Sequence, residues 1–130
     1  SMKRASTYAD GVYAFSMAGK QDEIENYFAM ADTAWAAEGR TEKPYRLGGF
    51  WYCLADNAEQ RMRQYVYDYL AIMGKEVAEM VADMMTMHTP DAVAAGLDAM
   101  EEAGCEELFM VPSTADISEV DRLAEIIANR

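Results

Sequence analysis

Gly49-Phe50-Trp51-Tyr52-Cys53-Leu54 is the stretch that decides the fold. It has no polar alternation, so it reads as the middle of a strand, Tyr45 to Ala55, that is apolar on both faces. Such a strand belongs in a parallel sheet covered on both sides, or in a barrel wall. Two shorter runs share its character. Gly11-Val12-Tyr13-Ala14-Phe15 lies upstream, and Glu107 to Val111, carrying Leu108-Phe109-Met110-Val111, lies downstream.

Helical patterns separate these runs. From Gln21 to Glu38, Ile24, Tyr27, Phe28, Ala31 and Trp35 fall on one stripe, and Gly39 ends the helix at the expected position. Asp56-Asn57-Ala58-Glu59 has the look of a helix start, and the following helix carries Met62, Val66, Tyr69, Leu70 and Met73 as its apolar face up to Gly74. A further helix, Lys75 to about Met87, presents Val77, Met80, Val81 and Met84. Thr89-Pro90 is a cap and first-turn pair opening a helix to Ala103, stopped by Gly104. Asp116 to Asn129 forms the last helix, with Ile117, Val120, Leu123 and Ile127 as its apolar face. Strands alternating with helices give βαβ units, hence parallel pairing and right-handed crossovers.

The chain has 130 residues, 52% hydrophobic, with 11 basic and 23 acidic side chains and a net charge of −12. That length fits one domain, 1–130, with a core needing no staples. It is too short for a whole (β/α)₈ barrel, which takes roughly 250 residues. The acidic balance argues against nucleic acid and against anionic membrane surfaces. Cys53 and Cys105 form no C-x-x-C unit, so a reducing cytoplasm is the expected location. The N-terminal residues contain no signal-peptide core, and Ser1 ahead of Met2 reads as a tag remnant. Three parallel strands leave two open edges with unpaired backbone groups. The expectation is either a small α/β layer that associates with its own copies through those edges, or part of a larger barrel.

The second possibility has support in particular words. Thr89-Pro-Asp-Ala-Val-Ala-Ala-Gly-Leu-Asp-Ala-Met-Glu-Glu-Ala-Gly-Cys-Glu-Glu-Leu-Phe-Met-Val-Pro112, followed by Asp121-Arg122-Leu123-Ala124, resembles the C-terminal end of luciferase-like monooxygenases. Tyr8-Ala9-Asp10-Gly11-Val12 is similar to the A-D-G-V words that open a strand about two-thirds of the way along that family. The resemblance spans nearly the whole chain. It implies an α/β fold of three parallel βα units, the C-terminal portion of a (β/α)₈ barrel with extra helices between the second and third strands. It further implies an oxidoreductase acting on a small-molecule substrate with FMN or a deazaflavin coenzyme, as a monooxygenase or by hydride transfer. Much of the family's flavin pocket lies upstream of the A-D-G-V strand, so the chain alone is expected to be incomplete as a catalyst.

Barrel sites lie at the C-terminal ends of strands. Those ends place Phe15, Ser16, Met17, Lys20, Ser113 and Thr114 as candidate cofactor-binding residues. Ser16, Ser113 and Thr114 offer hydroxyls to a flavin ring. Lys20 stands at the start of the long helix, where the macrodipole disfavours a cation and a bound phosphate would relieve it. Plainer readings exist for each: Ser113 or Thr114 caps the last helix, Ser16 is a loop residue, and Lys20 is merely exposed. His88, the only histidine, reads as a helix terminus, and Met80, Met84 and Met87 read as packing rather than a soft-metal site. No metal site is expected. The pairs Asp22-Glu23, Glu101-Glu102 and Glu106-Glu107 read as solvated surface. No nucleophile elbow, Walker loop or zinc spacing is present, so no catalytic residue is assigned.

Overall fold

A computed structural model describes residues 2–130. Ser1, read as a tag remnant, lies outside the described residues. Strand β1 (Gly11–Phe15) leads through helix α2 (Gln21–Ala37) to β2 (Tyr45–Gly49), preceded by a short helical turn α1 (Met2–Ala5). The second strand resumes as β3 (Trp51–Tyr52). Then come α3 (Ala58–Leu70), a tight 3₁₀ turn at Ala71–Met73, and α4 (Lys75–Asp83). Helix α5 (Pro90–Glu102) returns the chain to β4 (Glu107–Leu108) and β5 (Val111–Pro112), and α6 (Ser118–Ala128) closes it.

All pairing is parallel. β2 lies between β1 and β4, with Tyr13 opposite Leu47 and Leu47 opposite Glu107. β3 pairs β5 through Trp51 opposite Val111 and Tyr52 opposite Pro112. The same offset runs from Leu47–Glu107 to Trp51–Val111, because 107 − 47 and 111 − 51 are both 60. Two breaks, at Phe50 and at Phe109-Met110, therefore interrupt one continuous ladder, and the three expected strands are present in the expected directions. Pro112, expected to leave the third strand, sits within it at an edge position where its missing N–H is harmless.

The two faces of the sheet differ. Val12, Ala14, Phe50 and Tyr52 are buried on the helix-covered side. There α5 comes so close that a Cβ on Gly96 would meet the Phe50 ring at 2.9 Å. Tyr13, Tyr45 and Phe109 alternate onto the other side and stay exposed. The strands, apolar on both faces, are thus covered along one face and, on the other, at the C-terminal end, where Trp51 is buried.

Several helix faces differ from the pattern-based expectation. In α2, Ile24, Phe28, Ala31 and Trp35 are buried as expected while Tyr27 is not. Helix α3 buries Met62, Val66 and Leu70 but leaves Tyr69 and Met73 out. Helix α4 stops at Asp83 rather than Met87 and buries Ala78 and Ala82. Its small residues let α4 approach α3 closely, so Met80 and Met84 point to solvent and the methionine stripe is no packing stripe. Met87 alone of the three is buried, in the loop beyond. His88 lies in that loop and terminates no helix. Helix α6 departs furthest: Ile117 is 83% exposed and Val120 and Ile127 are exposed, while Glu119 is fully buried.

Candidate functional site

The C-terminal ends of the strands converge on a carboxylate that sequence patterning passed over. Glu119 lies at the start of α6, beneath the end of β3. Its Oε2 accepts the Leu54 N–H at 2.8 Å, and its Oε1 accepts the Ala55 N–H at 3.1 Å. The Thr114 hydroxyl donates to Oε1 at 3.1 Å, and the Cys53 thiol donates to it at 3.5 Å. The Tyr52 hydroxyl adds a bond to the Glu119 carbonyl oxygen at 3.3 Å. From the next turn, Arg122 Nη1 donates to the Leu54 carbonyl at 2.7 Å. Charge-assisted bonds of this kind fix geometry strongly when buried. Glu119 is therefore a strut holding the strand end, with its lone pairs occupied by the chain itself.

This environment acts on its neighbours. Burial pushes the Tyr52 phenol above its ordinary value, and the Glu119 carboxylate pushes it further. Burial likewise raises the Cys53 thiol above its ordinary value.

The residues chosen from sequence occupy the same end of the sheet. Ser16 is buried, donates to Glu23 Oε2 at 3.0 Å and accepts the Lys20 N–H at 2.9 Å, so it organises the β1–α2 loop. Ser113 donates to the Tyr52 carbonyl at 2.9 Å. Thr114 also accepts the Asp116 N–H, in the turn before α6, and neither residue bonds to that helix's own amides. Lys20 is exposed at the cap position of α2, and Met17 is half-buried in the same loop.

Phe15 belongs to a row of rings on the face of the sheet away from α5. Its centroid lies 4.9 Å from that of Trp51 in an edge-to-face arrangement. Trp51 in turn meets Tyr69 at 5.4 Å and Tyr65 at 6.0 Å, both also edge-to-face. Tyr65 and Tyr69 stack on each other at 6.1 Å with planes 19° apart. Helix α3 thus overhangs the end of the sheet, one turn of tyrosines resting on the strand tryptophan. The i, i+4 spacing of Tyr65 and Tyr69 was the available signal for this pair.

Among the described residues no group of three or more His, Cys, Asp or Glu side chains could hold a metal. His88 lines a hollow of about 460 Å³ with Asn57, Gln60 and Arg63, and Arg63 is paired with Asp83. Among the described residues no helix is long and apolar enough to cross a membrane.

Solved structures similar to this chain include two oxidoreductases. An F420-dependent secondary alcohol dehydrogenase, seen in complex with an F420-acetone adduct, superimposes with a TM-score of 0.71 at 18% identity. The match covers 98% of this chain and 44% of the dehydrogenase. The chain shares its fold with part of an oxidoreductase. A monooxygenase from Streptomyces bottropensis superimposes with a TM-score of 0.53 at 17% identity, over 99% of this chain and 43% of the other. This chain therefore spans less than half the length of either. No family model and no curated protein sequence matches.

Proposed function

We propose that the chain is the C-terminal portion of a luciferase-like oxidoreductase barrel that works with FMN or a deazaflavin of the F420 type on a small-molecule substrate. The observation that carries this reading is the likeness of nearly the whole chain to under half of an F420-dependent dehydrogenase, joined to its three parallel strands. The similarity of the A-D-G-V and Thr89–Pro112 words to that family supports it independently. Such a cofactor, when bound, supplies hydride transfer or, with FMN, oxygen activation, and the protein supplies position and dryness.

The residues present fit one side of that task. Phe15 and Met17 offer an apolar wall at the end of β1. Lys20, beside the start of a 17-residue helix, offers a cation to a phosphate group. Ser16, Ser113 and Thr114 hold the loops around the wall through their hydroxyls rather than leaving them free. Lys20 stands without a glycine-rich cradle, so the grip on a phosphate comes mainly from elsewhere in the barrel.

A second reading, a non-catalytic module that associates with its own copies, is favoured by the free edges of β1 and β4 and by the exposed Tyr13 and Phe109. The two are compatible, since a partial barrel gains by covering that face.

Fusion of this chain to the part of the F420-dependent dehydrogenase that it does not match tests the first reading. The fused protein is expected to retain F420 or FMN through desalting, read by visible absorbance. A folded fusion that retains neither overturns it. Gel filtration of the chain alone tests the second, for which a monomer that binds no hydrophobic dye is the contrary result.

A further inference from the structure

The row of rings under α3 has a consequence beyond the cofactor class. Trp51 is 7% exposed, yet Tyr69, whose ring packs on it, is 61% exposed. A tyrosine ring left largely in water over the C-terminal end of a strand lies where barrel folds place substrate. The segment that carries it, α3 to α4, is inserted between the second strand and its crossover helix α5. Loops of this kind carry specificity while the strands carry the scaffold. None of the four rings bears a charge, and the chain as a whole is strongly acidic at −12. A surface of that chemistry attracts a neutral flat ring through edge and face contacts and offers an anion no partner.

We propose that Trp51, Tyr65 and Tyr69, bordered by Phe15, form the substrate wall of the site and receive a neutral, planar ring compound. This rests on reading the chain as part of an oxidoreductase barrel. Phe15 marks the border with the cofactor side, and the two α3 tyrosines are the specificity-determining residues. Acetone, the ketone in the adduct of the similar dehydrogenase, has no ring to use such a wall.

The same flat-ring chemistry belongs to a flavin, so the test separates the two sources. The chain holds two tryptophans, giving two indole N–H signals in a nitrogen–proton spectrum. Trp35 is buried in the core contributed by α2 and acts as internal reference. Titration with 2-naphthol is expected to shift the Trp51 signal saturably and leave Trp35 in place. 2-Naphthoate, the same ring with a carboxylate, is expected to bind at least about fivefold more weakly. Lumichrome, the flavin ring without its chain, is expected to bind no more tightly than 2-naphthol. Tyr69→Ala, at an exposed position, is expected to weaken 2-naphthol about fivefold, and Tyr69→Phe to keep it. Absence of a saturable Trp51 shift, equal binding of the naphthoate, tighter binding of lumichrome, or an unaffected Tyr69→Ala protein overturns the assignment. These measurements need no cofactor, so their failure is distinct from failure of the fused protein to retain one.

Discussion

Glu119 Oε2 accepts the backbone N–H of Leu54 at 2.8 Å across 65 residues of sequence, and this bond sets how the last helix lies against the sheet. The Ala55 N–H and the Thr114 hydroxyl complete the shell. Removing the carboxylate strands two backbone donors in a place from which water is excluded. Each such donor costs about 1–3 kcal/mol. Glu119→Ala is expected to lose about 3 kcal/mol, measured as a lower urea midpoint at unchanged slope. Glu119→Gln keeps one acceptor oxygen and should fall between. A loss under about 1 kcal/mol for the alanine variant would show that the strand end is held some other way.

That bond also explains where sequence reading succeeded and where it did not. Strand positions and directions were legible because Leu47 to Leu54 and Leu108 to Val111 lack polar alternation, and Thr89 caps α5 as expected, accepting the Ala92 N–H at 3.2 Å. Periodicity gives a helix its stripe, but the partner decides which stripe is buried. In α6 the strand end offers two N–H groups, so Glu119 turns inward and carries Ile117 and Val120 out to solvent. In α4 the close approach of Ala78 and Ala82 to α3 wins over the larger methionines for the same reason. Phe15 was legible as a strand-end residue. Its contact with Trp51, and through it with Tyr65 and Tyr69, depends on how α3 folds back, which no local spacing encodes.

Gly49 has a packing reason to be glycine. It stands opposite Phe15 in the ladder, and a Cβ there would overlap the Phe109 carbonyl oxygen and come within 2.8 Å of the Tyr13 hydroxyl. The blocking atom is backbone, so relief requires β2 and β4 to separate. Gly49→Ala is expected to cost about 2 kcal/mol and to speed amide exchange at Phe109, whose N–H bonds the Gly48 carbonyl at 2.8 Å. Unchanged exchange at Phe109 with unchanged stability would contradict the close approach.

Alkaline pH should destabilise the fold. Burial raises the thiols of Cys53 and Cys105 and the phenols of Tyr13 and Tyr52 above their ordinary values. The unfolded chain therefore loses these protons first, and stability falls as pH rises. The contribution is whole below about pH 8.5, the ordinary thiol value, and is lost as pH climbs through the raised folded values. The lowered carboxylates, Glu42 and Asp116, are fully exposed and contribute little on the acid side. Thermal midpoints from pH 7 to 10.5 should decline in the upper half of that range, and less steeply in Cys53→Ala. A flat profile would mean that the thiols and phenols titrate alike in both states.

Asn57 makes the turn from the second strand into α3 with left-handed backbone, φ 56° and ψ 39°, and its side chain does not cap the helix. Asparagine tolerates that conformation better than other residues with a Cβ, and glycine tolerates it freely. Asn57→Ala is expected to cost about 1 kcal/mol because alanine keeps the Cβ crowding of left-handed backbone and lacks the short polar side chain that eases it. Asn57→Gly should stay within a few tenths of a kcal/mol of the parent, as relief of the turn offsets the greater freedom of the unfolded chain. Since the turn aims α3 over Trp51, the alanine variant should also broaden the Trp51 indole signal while leaving Trp35 sharp. Equal stability of the two variants would show that backbone conformation at position 57 is not what holds the turn.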